Sequence, residues 1–276
     1  MIKIKKIGQV IFSSPVYTFS VVFLIVLIIL SLIAPLLPLD PNATDVSNMS
    51  QPPSLAHWFG TDEVGRDYFI RVLYGGRVSL LVGVLAMLTA TTIGTLVGLT
   101  AGYFGGLIDS ILMRLLDVLS AIPWLVLVIV LSVFLKPGLT TIIVIIGCFS
   151  WMGIARLIRG ETLAAKERDY VIYAKFIGIP PFKIIVRHIL PSVLPTLIVA
   201  ASASISGAIM TESALSFLGM GIQQPMASWG SLLQNAQSSL QRVPYMAILP
   251  GLFVVFTVYS FNNLGDLIKS ILQREV

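Results

Sequence analysis

The stretch VVFLIVLIILSLIAPLL closes an apolar run from about Val16 to Leu37 that contains no charged residue. A helix of roughly 20 such residues crosses a hydrocarbon core of about 30 Å. In lipid every backbone N–H and C=O must be paired inside the structure, which a helix achieves within its own segment. Five further runs follow: Val78 to Tyr103, Ile111 to Leu135, Thr140 to Leu157, Pro191 to Leu218 and Tyr245 to Ile268. Composition agrees: 56% of residues are hydrophobic and 11% charged, whereas soluble domains carry about 25% charged residues. Nucleic-acid binding, disorder and disulfide scaffolds are thereby disfavoured.

The expected fold is all-α: a polytopic membrane protein with six transmembrane helices and both termini cytoplasmic. Residues 1–15 form a cytoplasmic N-terminus, 16–37 the first span and 38–77 an extracytoplasmic segment. Residues 78–276 form a five-helix core with a cytoplasmic loop at 156–190. The first run follows Lys3, Lys5 and Lys6 like a signal peptide, but Leu32 and Pro35 around Ala34 break the small-residue cleavage pattern, so an uncleaved anchor is expected. Lys and Arg near span ends set orientation. The inner segments hold Lys3, Lys5, Lys6, Arg114, Arg156, Arg159, Lys166, Arg168, Lys175, Lys183, Arg187, Lys269 and Arg274, against Arg66, Arg71, Arg77, Lys136 and Arg242 outside. The net charge of +5 is therefore read as a topology signal.

Small residues Gly83, Gly94, Gly98 and Gly102 in the second run allow another helix to approach closely. Gly75-Gly76 and Gly105-Gly106 are read as turns beside the spans. Within the charged segment Arg156 to His188, ERDYVIYAKFIG forms a short helix ended by Gly178, with Pro180-Pro181 blocking its continuation. It either presents a surface to a soluble partner or lies on the headgroups.

Three segments then resemble a known family. GTDEVGRDYFIRVLYGGRVSLLVG (Gly60 to Gly83), Gly178 followed by RHILP (Arg187 to Pro191), and ESALSFLGMGIQQPMASWGSLL (Glu212 to Leu233) are similar to the inner-membrane permeases, C-type, of dipeptide, oligopeptide and nickel ABC importers. The resemblance covers about His57 to Asp266. It implies a permease that forms half of a translocation path for peptides, or for nickel and metal chelates, by alternating access. It also implies a second homologous permease, two cytoplasmic ATPases that bind ATP and Mg, and an extracytoplasmic substrate-binding protein. No G-x-x-x-x-G-K-[ST] occurs in the chain, so ATP hydrolysis is expected in the partners and no cofactor here. The runner-up is a self-sufficient secondary transporter, which the lack of an obvious repeat disfavours.

The resemblance assigns an ATPase-coupling loop to Glu167, Asp169, Tyr173, Ala174, Gly178, Arg187, Leu190 and Pro191. The family pattern opens Glu-Ala-Ala, where this chain has Ile172, Tyr173 and Ala174, so Glu167 and Asp169 are the available acids. Glu212, at the end of the fifth run, is a pathway candidate because it is ionisable at membrane depth; a hydrogen bond ordering the following turn is the favoured alternative. Asp117 pairs with Arg114 or bridges helices. Asn262 and Asn263 bridge helices or line the path. Asp62, Arg66 and Asp67 either contact a partner or binding protein, or pair with one another to fix the helix entry. His57, His188 and Cys148 offer neither metal-ligand spacing nor a disulfide.

Overall fold

The computed structural model describes residues 10–12 and 14–273, so Lys3, Lys5, Lys6 and Arg274 of the orientation argument lie outside the described residues. The described residues are mostly helical and contain no strand. Helix α1 (Pro15–Ile33) starts on a proline, whose missing N–H is free of cost in a first turn. An irregular segment leads to α2 (Tyr68–Phe104). The helix opens ten residues before the run that begins at Val78. Asp67 caps it by accepting from the Ile70 N–H (3.2 Å). Its early arginine, Arg71, is buried in protein, donating to the Pro41 carbonyl (3.0 Å).

The run from Ile111 to Leu135 is not one helix. It divides into α3 (Gly106–Ser120) and α4 (Trp124–Phe134). Pro123 has no N–H to continue α3 and disfavours helix at the residue before it. Next come α5 (Leu139–Lys166), a short α6 (Asp169–Phe176) and one turn, α7 (Pro181–Ile184). A wide turn at Ile185–Ile189 joins α7 to α8 (Leu190–Phe217), followed by α9 (Trp229–Asn235) and α10 (Tyr245–Gln273). Five stretches of described residues are long and apolar enough to cross a membrane: Pro15–Leu36, Tyr68–Phe104, Leu139–Lys166, Pro181–Phe217 and Tyr245–Ile271.

Helix α2 is the hub, flanked by α5 along much of its length and by α8. Its glycines make this contact. A Cβ on Gly94 would lie 2.8 Å from that of Ile154, one on Gly98 2.7 Å from the Ala155 carbonyl, and one on Gly102 2.6 Å from the Thr162 Cβ. Spacing of four residues puts all three on one face toward α5. Gly83 faces α8, where a Cβ would meet Ile209 at 2.9 Å. Gly75 and Gly76 are interior to α2, not turns; a Cβ on Gly76 would touch the Trp229 indole at 2.9 Å. Helix α10 covers α8 and α1, and Asn263 donates to Ser20 Oγ (3.2 Å) across the α10–α1 seam.

Replacing Gly98 by leucine forces α2 and α5 apart, an overpacking cost of about 1–3 kcal/mol. The purified chain should melt several degrees lower in detergent. Gly160→Ala, where a Cβ meets nothing within 4 Å, should leave the midpoint unchanged or higher. Equal midpoints for both variants would contradict the packing described.

Candidate functional site

Two places gather the sequence-predicted residues. The first surrounds Glu212, which is 0% exposed. A carboxylate removed from water must find donors. One oxygen accepts from Ser79 Oγ of α2 (3.0 Å) and the other from Ser216 Oγ one turn later on α8 (2.7 Å). Both hydroxyls also accept: Ser79 from the Trp229 backbone N–H (3.3 Å), Ser216 from the Ile222 N–H (3.1 Å). The Trp229 indole N–H donates to the Val72 carbonyl (3.1 Å). Glu212 thus fastens α2, α8 and the loop entering α9 at one point. The segment Glu212 to Leu233 folds back on its own first residue, which explains serines at 216, 228 and 231. Ser228 and Ser231 cap α9 reciprocally.

The second place is the segment from Glu167 to Pro191. Glu167, Arg168 and Asp169 are exposed. The Arg168 carbonyl accepts from Val171 and Ile172 to start α6. At its end Gly178 takes φ +79°, the Ile179 N–H donates to Ala174 (3.1 Å) and the Gly178 N–H to Lys175 (3.0 Å). This double bond is a Schellman closure, and glycine is the residue that enters it without a Cβ penalty. Val171 and Ala174, three apart on one face, pack beside Ala165, Ile184 and Ile189. Lys175 Nζ sits 5.2 Å over the Tyr103 ring at the end of α2. The opposite face is apolar and open: Tyr173 is 65% and Phe176 86% exposed, with Ile172, Ile177 and Phe182 beside them. Arg187 and Pro191 are exposed, Leu190 is partly buried, and the His188 ring lies 6.2 Å from that of Tyr170.

Phe176, Ile177 and Phe182 are missing from the sequence-predicted set. For Phe176 and Ile177 the signal was present: once Val171 and Ala174 are given the inward face, the remaining apolar residues of IYAKFIG have only solvent to meet.

The other predicted residues are tied into the scaffold. Asp62 is buried and accepts from the Val64 and Arg66 N–H groups (3.0 and 2.9 Å) and from Arg66 Nε (2.6 Å), with Arg71 Nε at 3.6 Å. Asp67 caps α2 and meets His57 Nδ1 at 2.8 Å. These three residues fix the entry to α2. Asp117 pairs with Arg156 on α5 (3.1 Å), making an interhelical pair in place of one with Arg114. Asp109 and Arg159 make a second, two-pronged pair (2.5 Å each). Asn262 is exposed. Among the described residues no cluster of His, Cys, Asp and Glu could hold a metal ion.

Glu212→Leu would strand two buried serine hydroxyls, at about 1–3 kcal/mol each. The variant should assemble poorly and melt early, and Ser79→Ala should do so more mildly. A Glu212→Leu protein with wild-type melting and assembly that fails only in transport would contradict this fastening role.

Residues 94–276, well over half of the chain, match the family described as "Binding-protein-dependent transport system inner membrane component". The Dipeptide transport system permease protein DppC of Bacillus subtilis (strain 168) is 43% identical over 84% of this chain and 72% of its own length. The Oligopeptide transport system permease protein OppC of Haemophilus influenzae is 40% identical over 86% of this chain and 76% of its own. The Glutathione transport system permease protein GsiD of Pectobacterium atrosepticum is 40% identical over 87% and 80%. In three dimensions the chain is similar to a chain of the inward-facing MetNI methionine ABC transporter, with TM-score 0.59 and 18% identity over 74% of this chain and 97% of that one; this likeness concerns the fold. The chain belongs to the binding-protein-dependent transport system inner membrane components: it is a multi-pass, non-catalytic permease subunit of an ABC-type importer in the cell membrane.

Proposed function

We propose that this permease forms half of the path by which a peptide is imported, and that the exposed face of α6 is where an ATPase docks. The α6 face carries the reading. The glycine-closed helix α6 presents Tyr173 and Phe176, with Phe182 of α7 beside them, and none of the described residues covers them. An exposed apolar patch of this kind marks an interface. Charges of both signs flank the patch, with Glu167 and Asp169 beside Arg168, Lys183 and Arg187, and Lys175 turns toward Tyr103; such a mixed rim suits a protein partner. The relatives transport dipeptides, oligopeptides and glutathione by their names, which favours peptides over nickel or a metal chelate. A self-sufficient secondary transporter is not favoured, because the relatives are subunits of binding-protein-dependent systems.

The rest of the reading follows from these two. Helices α3 and α4 together make the sixth crossing, both termini are cytoplasmic, and the loop at 156–190 lies on the same side. One second, homologous permease completes the path. Two ATPases bind ATP and Mg, and their closure moves α6 with α2 and α5, shifting the path between two states. An extracytoplasmic binding protein delivers the substrate.

Phe176→Asp places a charge in the centre of the docking face while leaving Val171 and Ala174 in their packing. The loss of a buried phenylalanine, roughly 1.5–3 kcal/mol, should weaken ATPase retention in the purified complex tenfold or more. ATP-driven uptake should fall with it, while the chain stays in the membrane. Normal ATPase content and uptake would remove α6 from the interface.

A further inference from the structure

The break between α3 and α4 lies where lipid would be expected. Both helices run antiparallel to α5: Asp117 pairs with Arg156, Ser120 Oγ lies 3.2 Å from Met152 Sδ, and Val128 packs in one cluster with Ile142, Ile145 and Ile146. Met152 stands about 20 Å along α5 from Leu139, at 1.5 Å per residue. That depth is inside a hydrocarbon core of about 30 Å. The backbone there has work to find. In helical register the Leu119 carbonyl would be met by the N–H of residue 123, which is proline and has none, and the first N–H groups of α4 have no partner within their own helix. Non-helical backbone at such depth is tolerated only against protein or beside water.

A cavity of about 480 Å³ opens at this break, lined by Ser120, Pro123, Trp124, Phe149, Ser150, Met152 and Thr211 among others, with no charged side chain. Its size falls in the range of small-molecule sites, about 300–1,000 Å³. Hydroxyls reach it from three helices: Ser120 of α3, Ser150 of α5 and Thr211 of α8. Thr211 faces the cavity while its neighbour Glu212 is turned into the seam with α2. One turn from Ser150 and from Thr211, Gly153 and Gly207 leave space, since a Cβ on either meets nothing within 4 Å.

We propose that this cavity is a water-filled station on the translocation path, where the uncharged main chain of a peptide is received by hydroxyls and by the freed backbone groups of the α3–α4 break. The inference rests on the permease reading above. Hydroxyls that donate and accept match amide C=O and N–H groups irrespective of sequence. The Arg156–Asp117 pair stands at its edge, with Arg156 Nη2 donating to Ser120 Oγ (3.2 Å), and the bulk of Trp124 and Phe149 limits the side chains that pass.

The test uses the whole importer complex in nanodiscs, with Cys148 replaced by serine and single cysteines at Ser120, Ser150, Thr211 and, as a control, the outward-facing Leu96. A charged methanethiosulfonate reagent should modify the three cavity cysteines at least tenfold faster than Leu96→Cys, and saturating peptide with its binding protein should slow them several-fold. Cavity cysteines as slow as the control, in a complex that still couples ATP hydrolysis to import, overturn the station and leave the permease reading standing. Ser150→Trp should abolish uptake with ATP hydrolysis retained, and Ser150→Thr should keep both. Wild-type uptake by Ser150→Trp would equally overturn it. Should Ser150→Trp fail to assemble, the labelling rates decide.

Discussion

The close approach of α2 to its neighbours is the contact on which the rest of this permease depends. A bilayer offers helices no hydrophobic reward for meeting, so association rests on packing and on the few hydrogen bonds that close contact permits. Gly94, Gly98 and Gly102 let α5 approach backbone to backbone, Gly83 admits α8, and Gly76 admits the indole of Trp229. Only at that separation can Ser79 reach Glu212 across the α2–α8 seam and the Trp229 backbone from the same oxygen. The buried carboxylate is thus a consequence of glycine packing as well as a fastening for it.

The same hub connects the two proposed working surfaces. Helix α6 is held through Val171 and Ala174 to the cluster that contains Ala165 of α5 and Ile184 and Ile189 at the entry to α8. Lys175 rests over Tyr103 of α2, and Lys166 donates to the Gly102 carbonyl (3.0 Å). The proposed station is bounded by α5 and α8 on one side and by the α3–α4 break on the other. A push on α6 therefore bears on helices that line the cavity, with the Asp109–Arg159 and Asp117–Arg156 pairs linking α3 to the same stretch of α5. Interfaces packed this tightly have discrete arrangements, which suits an element that alternates between two states.

Local physics was legible in the sequence, and long-range partnership was not. The spacing of Gly94, Gly98 and Gly102 predicts a close helical contact, and Gly178 before Pro180 predicts the end of α6. Both are consequences of a few neighbouring residues. The first turns of α2 escaped notice because Arg71 reads as a polar residue outside the bilayer; its partners, Pro41 and Asp62, come from a loop that folds over it. The partner of Glu212 on α2 is separated from it by 133 residues. Asp117 met Arg156 instead of the nearer Arg114 because α3 lies against α5. The division of the third run could have been read from Pro123, but its apolar flanks, VLSAI and WLVLVIV, read as continuous without a three-dimensional neighbour.

The most direct test of the central claim, a permease driven by separate ATPases, is transport by purified components in proteoliposomes. The chain is reconstituted either alone or with its co-purifying partners, and labelled peptide uptake is followed. The account predicts uptake only from the assembled complex, with ATP on the α6 side and the binding protein on the other, and none from the chain alone under any ion gradient. Peptide accumulation by the chain alone, driven by a proton or sodium gradient and indifferent to ATP, would contradict it.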